Sequence, residues 1–380
     1  MKWETYKLKQ LCSEIVDCVN KTAPTSDVPT PYKMLRTSDI RGGKINLENL
    51  NCVTKEVYEK WTRRGKLQKG DVIFTREAPL GEVGLVREEK NYFLGQRLVL
   101  FRSNDKICDG RFLMYSLLWH DNKQAIISKG VGSTVAHLRV PECENIEIKV
   151  PDLDAQHRIA DILSAYDDLI ENNQKQIKLL EEAAQRLYKE WFVDLRFPGH
   201  ENTKIVDGVP EGWSRGLLKE LISVNYGKDH KKAPDDGNIP VYGSGGLMRK
   251  CNKSLFSGEA VLIPRKGSLN NIMYVDETFW TVDTMFYATM KQPHTAVFVY
   301  FFVKAFDMYS MNIGAAVPSM TTKILDAMDV VIPDKETLEK FDKYAKTYFN
   351  KIKTLQGQNE QLKTARDLLL AKLMNGKVEV

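Results

Sequence analysis

Six histidines and six cysteines are the residues of this 380-residue chain best suited to nucleophilic or metal chemistry, and their spacing favours neither. His120, His137, His157, His200, His230 and His294 are scattered, and Cys12, Cys18, Cys52, Cys108, Cys143 and Cys251 form no CxxC or Cys/His ligand pair. Gly130-Val131-Gly132 begins like a dinucleotide loop but lacks the third glycine, and the chain has no Walker loop and no HExxH. Glu147-Ile148-Lys149 resembles the tail of a nuclease carboxylate–lysine motif, but alternation on a strand produces that triplet by chance. No Asp stands at a suitable distance upstream. The Asn/Asp-Pro-Pro-aromatic loop with which amino-methyltransferases grip a flipped base is missing as well. Catalysis and a metal or cofactor of its own are therefore not expected.

What remains is recognition chemistry in loops. Arg76 follows an apolar run, and Gly95-Gln96-Arg97 lies between two others. Later come Lys231-Lys232 and the Gly/Ser-rich run Gly237 to Gly246 with Tyr242 and Ser244. Arg249-Lys250 and Arg265-Lys266-Gly267-Ser268 follow. Arg offers a two-pronged donor to guanine and Gln pairs with adenine, while Lys, Ser and backbone amides hold phosphates. These residues form the candidate DNA-facing set: Arg76, Gln96, Arg97, Lys231, Lys232, Tyr242, Ser244, Arg249, Lys250, Arg265, Lys266 and Ser268. The alternative is that they are solvated loop ends.

The elements that carry these loops occur twice. Trp3, Leu8, Leu11, Lys21, Ala23 and Pro24 recur as Trp213, Leu218, Leu221, Lys231, Ala233 and Pro234, at an offset of 210. Gly70 to Arg76 is echoed by Gly258 to Arg265, Gly132-Ser133-Thr134-Val135 by Gly314-Ala315-Ala316-Val317, and Val150-Pro151 by Ile332-Pro333. The offset falls to 189 and then 182, so the first copy carries insertions of 21 and 7 residues. The larger one, between Pro24 and Arg76, is rich in Lys and Arg. Such duplication implies a pseudo-two-fold molecule suited to a target with two half-sites. In the first copy the runs 72–75, 84–87, 98–101 and 146–150 read as strands, with a helix from Arg111 to Ile127. In the second, 260–263, 272–275, 285–288 and 328–332 read as strands, with a helix over Ala296–Tyr309.

After each proline the period becomes helical, from Asp154 to Phe192 and from Lys335 to Met374, each up to about 60 Å long at about 1.5 Å per residue. The expected seams are Ile159, Ile162, Tyr166, Leu169, Asn173, Ile177, Leu180, Ala184, Leu187 and Trp191, and Leu338, Phe341, Ala345, Tyr348, Ile352, Leu355, Asn359 and Leu362. Asn173 and Asn359 are polar positions suited to fixing register. The two helical segments carry net charges of −4 (residues 152–200) and +4 (335–380), which favours their pairing. Residues 1–151 carry +6 and 201–334 carry −1, within a chain of +5. Tyr188, Trp191 and Phe192 supply more aromatic surface than a two-helix seam can bury and are candidate partner-binding residues. No apolar run approaches the ~20 residues of a membrane helix, the start Met1-Lys2-Trp3-Glu4 is no signal peptide, and a cytoplasmic protein with free thiols is expected.

Pro151-Asp152-Leu153-Asp154-Ala155-Gln156-His157-Arg158-Ile159-Ala160-Asp161-Ile162-Leu163, continuing to Asp167-Asp168-Leu169-Ile170-Glu171-Asn172-Asn173, resembles the central helix of DNA-specificity subunits of type I restriction–modification systems. Ile239 to Gly246, Leu262 to Ser268, Gly132 through Pro151, and Glu190-Trp191-Phe192-Val193-Asp194 are similar to that family too. His157 and the second helix entry, Lys335-Glu336-Thr337-Leu338, depart from its pattern. The resemblance implies a mixed α/β fold with two target-recognition domains, residues 1–151 and 197–334, separated by two long antiparallel, coiled-coil-like helices at 152–196 and 335–380. It implies a non-catalytic subunit that reads a bipartite, asymmetric double-stranded DNA site and recruits two methyltransferase and two restriction subunits. S-adenosylmethionine, ATP and Mg would belong to those partners. The alternatives are the specificity subunit of another methylase–nuclease system of the same architecture, and a helical protein-assembly scaffold.

Overall fold

The computed structural model describes residues 2–131, 136–311 and 319–380; the repeated loops Gly132-Ser133-Thr134-Val135 and Gly314-Ala315-Ala316-Val317 lie outside the described residues. The chain forms two compact units, Met1–Asn172 with Gln358–Val380, and Asn173–Gly357. The division falls inside both long helices, across the four segments read from the sequence.

In the first unit the apolar runs form an antiparallel sheet in the order Cys12–Asp17, Leu98–Ser103, Val72–Thr75, Val83–Leu85. Successive side chains on a strand point to opposite faces, and here both faces are covered. Val72, Phe74, Val99 and Phe101 join a core with the helix Gly110–Leu118, whereas Ile73, Leu98 and Leu100 pack against Leu35, Ile40 and Leu67. Continuous apolar runs are what a sheet covered on both sides requires. The segment between Pro24 and Arg76 that holds the insertion forms a small body with Ala23 and the strand Tyr92–Leu94: strands Lys33–Leu35 and Asn51–Cys52 and helix Lys55–Trp61 pack with them around Met34, Val53, Tyr58 and Phe93.

The second unit repeats the order with Ile222–Tyr226, Met285–Met290, Phe256–Pro264 and Met273–Thr281, then adds Ile239–Gly243 in parallel and Gly246–Cys251. Its faces divide in the same way. Val261, Ile263, Phe286 and Ala288 face one core, and Ala260, Leu262 and Met285 the other.

Two expected helices are shorter than the sequence suggests. Trp119, at ψ 132°, breaks the first into Gly110–Leu118 and His120–Ser128, and the Asn122 amide donates to the Ser116 carbonyl at 2.8 Å across the break. The second stops at Lys304; Ala305 and Phe306 still donate to helix carbonyls, and beyond them side chains take the amides, Met308 N–H donating to Asn270 at 2.8 Å and Tyr309 N–H to Asp307 at 3.2 Å.

Both long helices start from the same device. The first strand of each copy pairs with the strand before the helix, Glu4 to Lys7 with Val150 to Glu147 and Ser214 to Leu217 with Ile332 to Asp329. A Pro-Asp follows, and the aspartate caps the helix. Asp152 accepts from the Ala155 amide and Asp334 from the Thr337 amide, both at 2.9 Å. Asp334 also accepts from the Thr337 hydroxyl at 2.7 Å and the Trp213 indole at 2.9 Å. Burial alone would raise its pKa, but these hydrogen bonds outweigh it and hold the carboxyl below the usual range.

The central helix runs Leu153–Tyr188, followed by one π-helical turn, Lys189–Val193, and the C-terminal helix runs Lys335–Met374, ending before Gly376 at φ 71°. Within the first unit the start of the central helix packs with the end of the C-terminal one, through Ile159, Ala160, Leu163, Leu370, Leu373 and Met374. Within the second, Ala184 and Tyr188 meet Leu338, Phe341 and Ala345. The C-terminal seam is the expected one, and Asn173 and Asn359 are both buried. The central seam differs by one residue. Leu169 is 46% exposed, while Leu163, Asp167 and Ile170 are buried. The buried charge explains the slip, because Asp167 accepts from Tyr115 Oη at 2.6 Å and pairs with Arg366 from the C-terminal helix. Burial and the neighbouring Asp167 carboxylate raise the Tyr115 pKa above its ordinary value. Arg366→Met, which strands Asp167 without its cation, is expected to destabilise the first unit by about 3–5 kcal/mol, and Asp167→Leu with Arg366→Met by much less. Urea unfolding followed by circular dichroism measures both; equal losses would mean that the charge pairing is immaterial.

Candidate nucleic-acid interface

In the first unit, strand Val72–Thr75 delivers Arg76 and the turn after Tyr92–Leu94 delivers Gln96 and Arg97. That turn passes so close to the neighbouring strand that a Cβ on Gly95 would stand 2.2 Å from the Leu35 carbonyl oxygen. Arg97 sits at φ 70°, a region side chains rarely occupy, and its carbonyl accepts from the Arg76 amide at 2.8 Å. The Arg97 side chain is 52% exposed, with Nε 3.5 Å from Glu77. Gln96 accepts from the Thr22 hydroxyl at 3.1 Å. With Asn20, Glu77, His137 and Leu138 these residues line a recess of about 320 Å³.

Arg76 is not the free cation the sequence suggests. Its guanidinium donates to Asp17 at 2.9 Å and to the Leu138 carbonyl at 3.3 Å, and its Nε is buried with no acceptor among the described residues. Arg265 repeats this arrangement in the second unit. Its amide donates to the Thr284 carbonyl and its guanidinium to the Asp283 carbonyl, both at 2.8 Å, and its Nε is likewise buried without an acceptor among the described residues. The guanidinium lies 5.0 Å from the ring centroid of Tyr226 and 5.2 Å from that of Phe286. Both arginines are framework residues that hold the strand ends on which the exposed loops stand.

The exposed groups of the second unit gather around two turns that touch. Gly267, at φ 82°, approaches the Ser244 hydroxyl so closely that a Cβ there would stand 2.5 Å from it. Asn271 donates to the Ser244 carbonyl and Tyr309 Oη to the Gly267 carbonyl, both at 2.9 Å. Ser244, Lys266 and Ser268 thus share one surface, edged by Tyr309. Tyr226, 54% exposed, lies beside Arg265. The sequence reading missed both tyrosines, because Tyr226 ends a mixed polar strand, Ile222–Tyr226, that has no apolar run, and Tyr309 reads as part of a helix.

Two more members of the expected set are tied down. Tyr242 donates to Glu277 at 2.5 Å, and burial raises its phenol above the ordinary value. Arg249 pairs with Asp235 and donates to the carbonyls of His230 and of Ala233, the latter at 2.7 Å, which clamps the turn His230–Lys232. Lys231, Lys232 and Lys250 are exposed around that clamp.

The structure also corrects the expected aromatic partner patch. Tyr188 and Trp191 are buried and Phe192 half-buried, in the core of the second unit. Tyr188 stacks on Phe301 at 5.4 Å between centroids, Trp191 lies 5.9 Å from Phe341, and Phe192 meets Phe298 edge-on at 4.9 Å. The two-helix seam alone could not cover them, and the domain supplies the remaining cover through Phe298, Phe301 and Trp213. Trp191→Ala is therefore expected to destabilise the second unit by about 3–5 kcal/mol in urea unfolding. A loss under ~0.5 kcal/mol would mean that the ring is a surface group.

Among the described residues no group of His, Cys, Asp or Glu is placed to hold a metal ion, the six cysteines are unpaired, and no helix is long and apolar enough to cross a membrane. Residues 1–182 and 210–364 match the family model described as the type I restriction modification DNA specificity domain. The type I restriction enzyme MjaIX specificity subunit of Methanocaldococcus jannaschii is 25% identical over 353 residues, covering 82% of this chain and 78% of the relative. The putative MjaX specificity subunit of the same organism is 24% identical over 408 residues, covering 100% and 94%. The S subunit of a type I restriction–modification system from M. genitalium has a similar fold, with a TM-score of 0.62 at 19% identity over 98% of this chain and 96% of that one. With the family match spanning both repeated domains, this chain belongs to the type I restriction modification DNA specificity family, and its role is that of a DNA sequence-specificity subunit.

Proposed function

We propose that each domain reads one half of a bipartite, asymmetric DNA site and that the chain brings modification and restriction subunits to it. The observation that carries this reading is the recurrence, in both units, of an inward-turned arginine bonded to the backbone of the next loop, Arg76 to Arg97 and Arg265 to Thr284. The frame is the same and the loop groups on it differ: half-buried Gln96 and exposed Arg97 in one unit, half-buried Ser244 with exposed Lys266 and Ser268 in the other. Equal frames with unequal loops suit two different half-sites. The partners are two methyltransferase subunits, which bind S-adenosylmethionine and methylate adenine, and two restriction subunits that use ATP and Mg. They dock on the long helices, where Leu179 and Leu368 are more than 60% exposed, rather than on the buried aromatic cluster.

Replacing residues 1–151 by the corresponding domain of a relative should change one half of the methylated motif, read by motif-resolved methylome sequencing of a host carrying the system. A change in both halves would sink the two-reader model. Arg97→Ala and Lys266→Ala should weaken DNA binding with folding stability unchanged. Loss of a base contact costs about 1–3 kcal/mol, and loss of a phosphate contact lowers the salt slope by about 0.9. Arg76→Ala and Arg265→Ala should instead lower the unfolding midpoint of their own unit. Equal effects of all four on DNA binding alone would contradict the division into exposed and framework cations.

A further inference from the structure

The segment that holds the basic insertion, residues 25–70, is 21 residues longer than its counterpart in the second copy, and its charge is concentrated. Residues 25–70 hold ten Lys and Arg against five Asp and Glu, a net +5 that equals the net charge of the whole chain. The insertion is rigid enough to present that charge, since Tyr58 packs on Tyr32 at 4.9 Å and on Phe93 at 6.3 Å, and Thr54 caps the helix Lys55–Trp61. The end of that helix is joined to the edge of the recess. The Trp61 indole donates to the Lys21 carbonyl at 3.3 Å, Arg64 to the Cys18 carbonyl at 2.8 Å, and Thr22 to Gln96 at 3.1 Å. Asn20, in the middle of this segment, lines the recess with Arg97.

Three exposed cations stand on this joint. Lys21, Lys60 and Arg63 have no carboxylate within 4 Å among the described residues, whereas Arg36, Arg76 and Arg102 nearby are each paired, with Asp39, Asp17 and Asp71. The Lys60 ammonium lies 5.7 Å from the Trp61 ring centroid, which keeps it at the helix end. Exposed cations without a carboxylate partner, beside a recess lined by Arg97, suit the phosphates that flank a half-site, because phosphate contacts fix register and orientation without reading sequence.

We propose that the insertion is a phosphate clamp of the first domain, with its Lys60 and Arg63, and Lys21 from the repeated segment at its base, gripping the DNA backbone beside the half-site that this domain reads. The inference rests on the DNA-reading function proposed above and adds an asymmetry to it: the first half-site is held by more backbone contacts than the second.

The test uses the full chain in complex with its methyltransferase subunits. The probe is a duplex carrying the methylated motif, and its affinity is measured across 50–200 mM salt for wild type, Lys21→Ala, Lys60→Ala, Arg63→Ala and the triple variant. Each single change should reduce the salt slope by about 0.9 and the triple by about three times that. The methylated motif should be unchanged, and Lys60→Arg should retain the wild-type slope. A role confined to compensating the helix dipole would lower the unfolding midpoint and leave the slope alone, which would overturn the proposal. So would loss of methyltransferase association at unchanged slope, which would make this a protein-binding face. If the wild-type complex retained the specific duplex no better than a scrambled one, the DNA-reading function itself would fall, and the clamp with it.

Discussion

Each long helix carries an apolar seam that no isolated helix can keep from water, and covering it is the constraint on which the rest of the fold depends. Within each unit the cover comes from two directions. One half of the partner helix supplies Leu370 and Leu373 in the first unit, and Leu338 and Phe341 in the second. The domain's own sheet and helix supply the rest. Burying a Leu or Phe side chain is worth about 1.5–3 kcal/mol, so a seam of this length outweighs any single polar contact along it. The strand–Pro–Asp junction sets the direction in which each helix leaves its domain, because the strand is paired and the first turn is capped.

A domain fixed in this way can carry variable loops. The inward-turned arginines Arg76 and Arg265 connect the frame to the loops through the backbone of the next turn, and their side chains are spent on protein acceptors. Backbone hydrogen bonds are indifferent to side-chain identity, so loop residues can change without altering the frame. Family membership as a DNA-specificity protein fits such a design, in which the scaffold is shared and the exposed set differs between copies.

The copies have also diverged in how they cover the outer face of the sheet. The first uses the basic insertion, with its own core around Tyr58 and Phe93. The second uses the hairpin Ile239–Gly243 and Gly246–Cys251, which packs Val241 and Cys251 against Ala260 and Leu262. Both solutions bury the same sheet face, but the first brings the larger surplus of positive charge, +5 over residues 25–70 against +2 over residues 239–251.

The duplication, eight apolar strand runs and the C-terminal helix to its last residue were legible in the sequence alone, whereas the less apolar strands Cys12–Asp17 and Ile222–Tyr226 were not. The former follow from local periodicity and from the Gly and Pro residues that interrupt it, which belong to a residue and its near neighbours. The resemblance carried by Pro151 to Asn173 determined the family. Whether a cation is free or tied was decided only by tertiary structure. Arg76 and Arg97 line the same recess, yet one is half-buried against Asp17, 59 residues away, and the other stays 52% exposed beside Glu77. The same holds for Trp191 and Phe192, whose cover arrives from Phe298 and Phe341, and for Asp167, a charge at a core position because Arg366 reaches it from the other helix. Burial and ion pairing are properties of the partners a side chain meets, and those partners are distant in the chain.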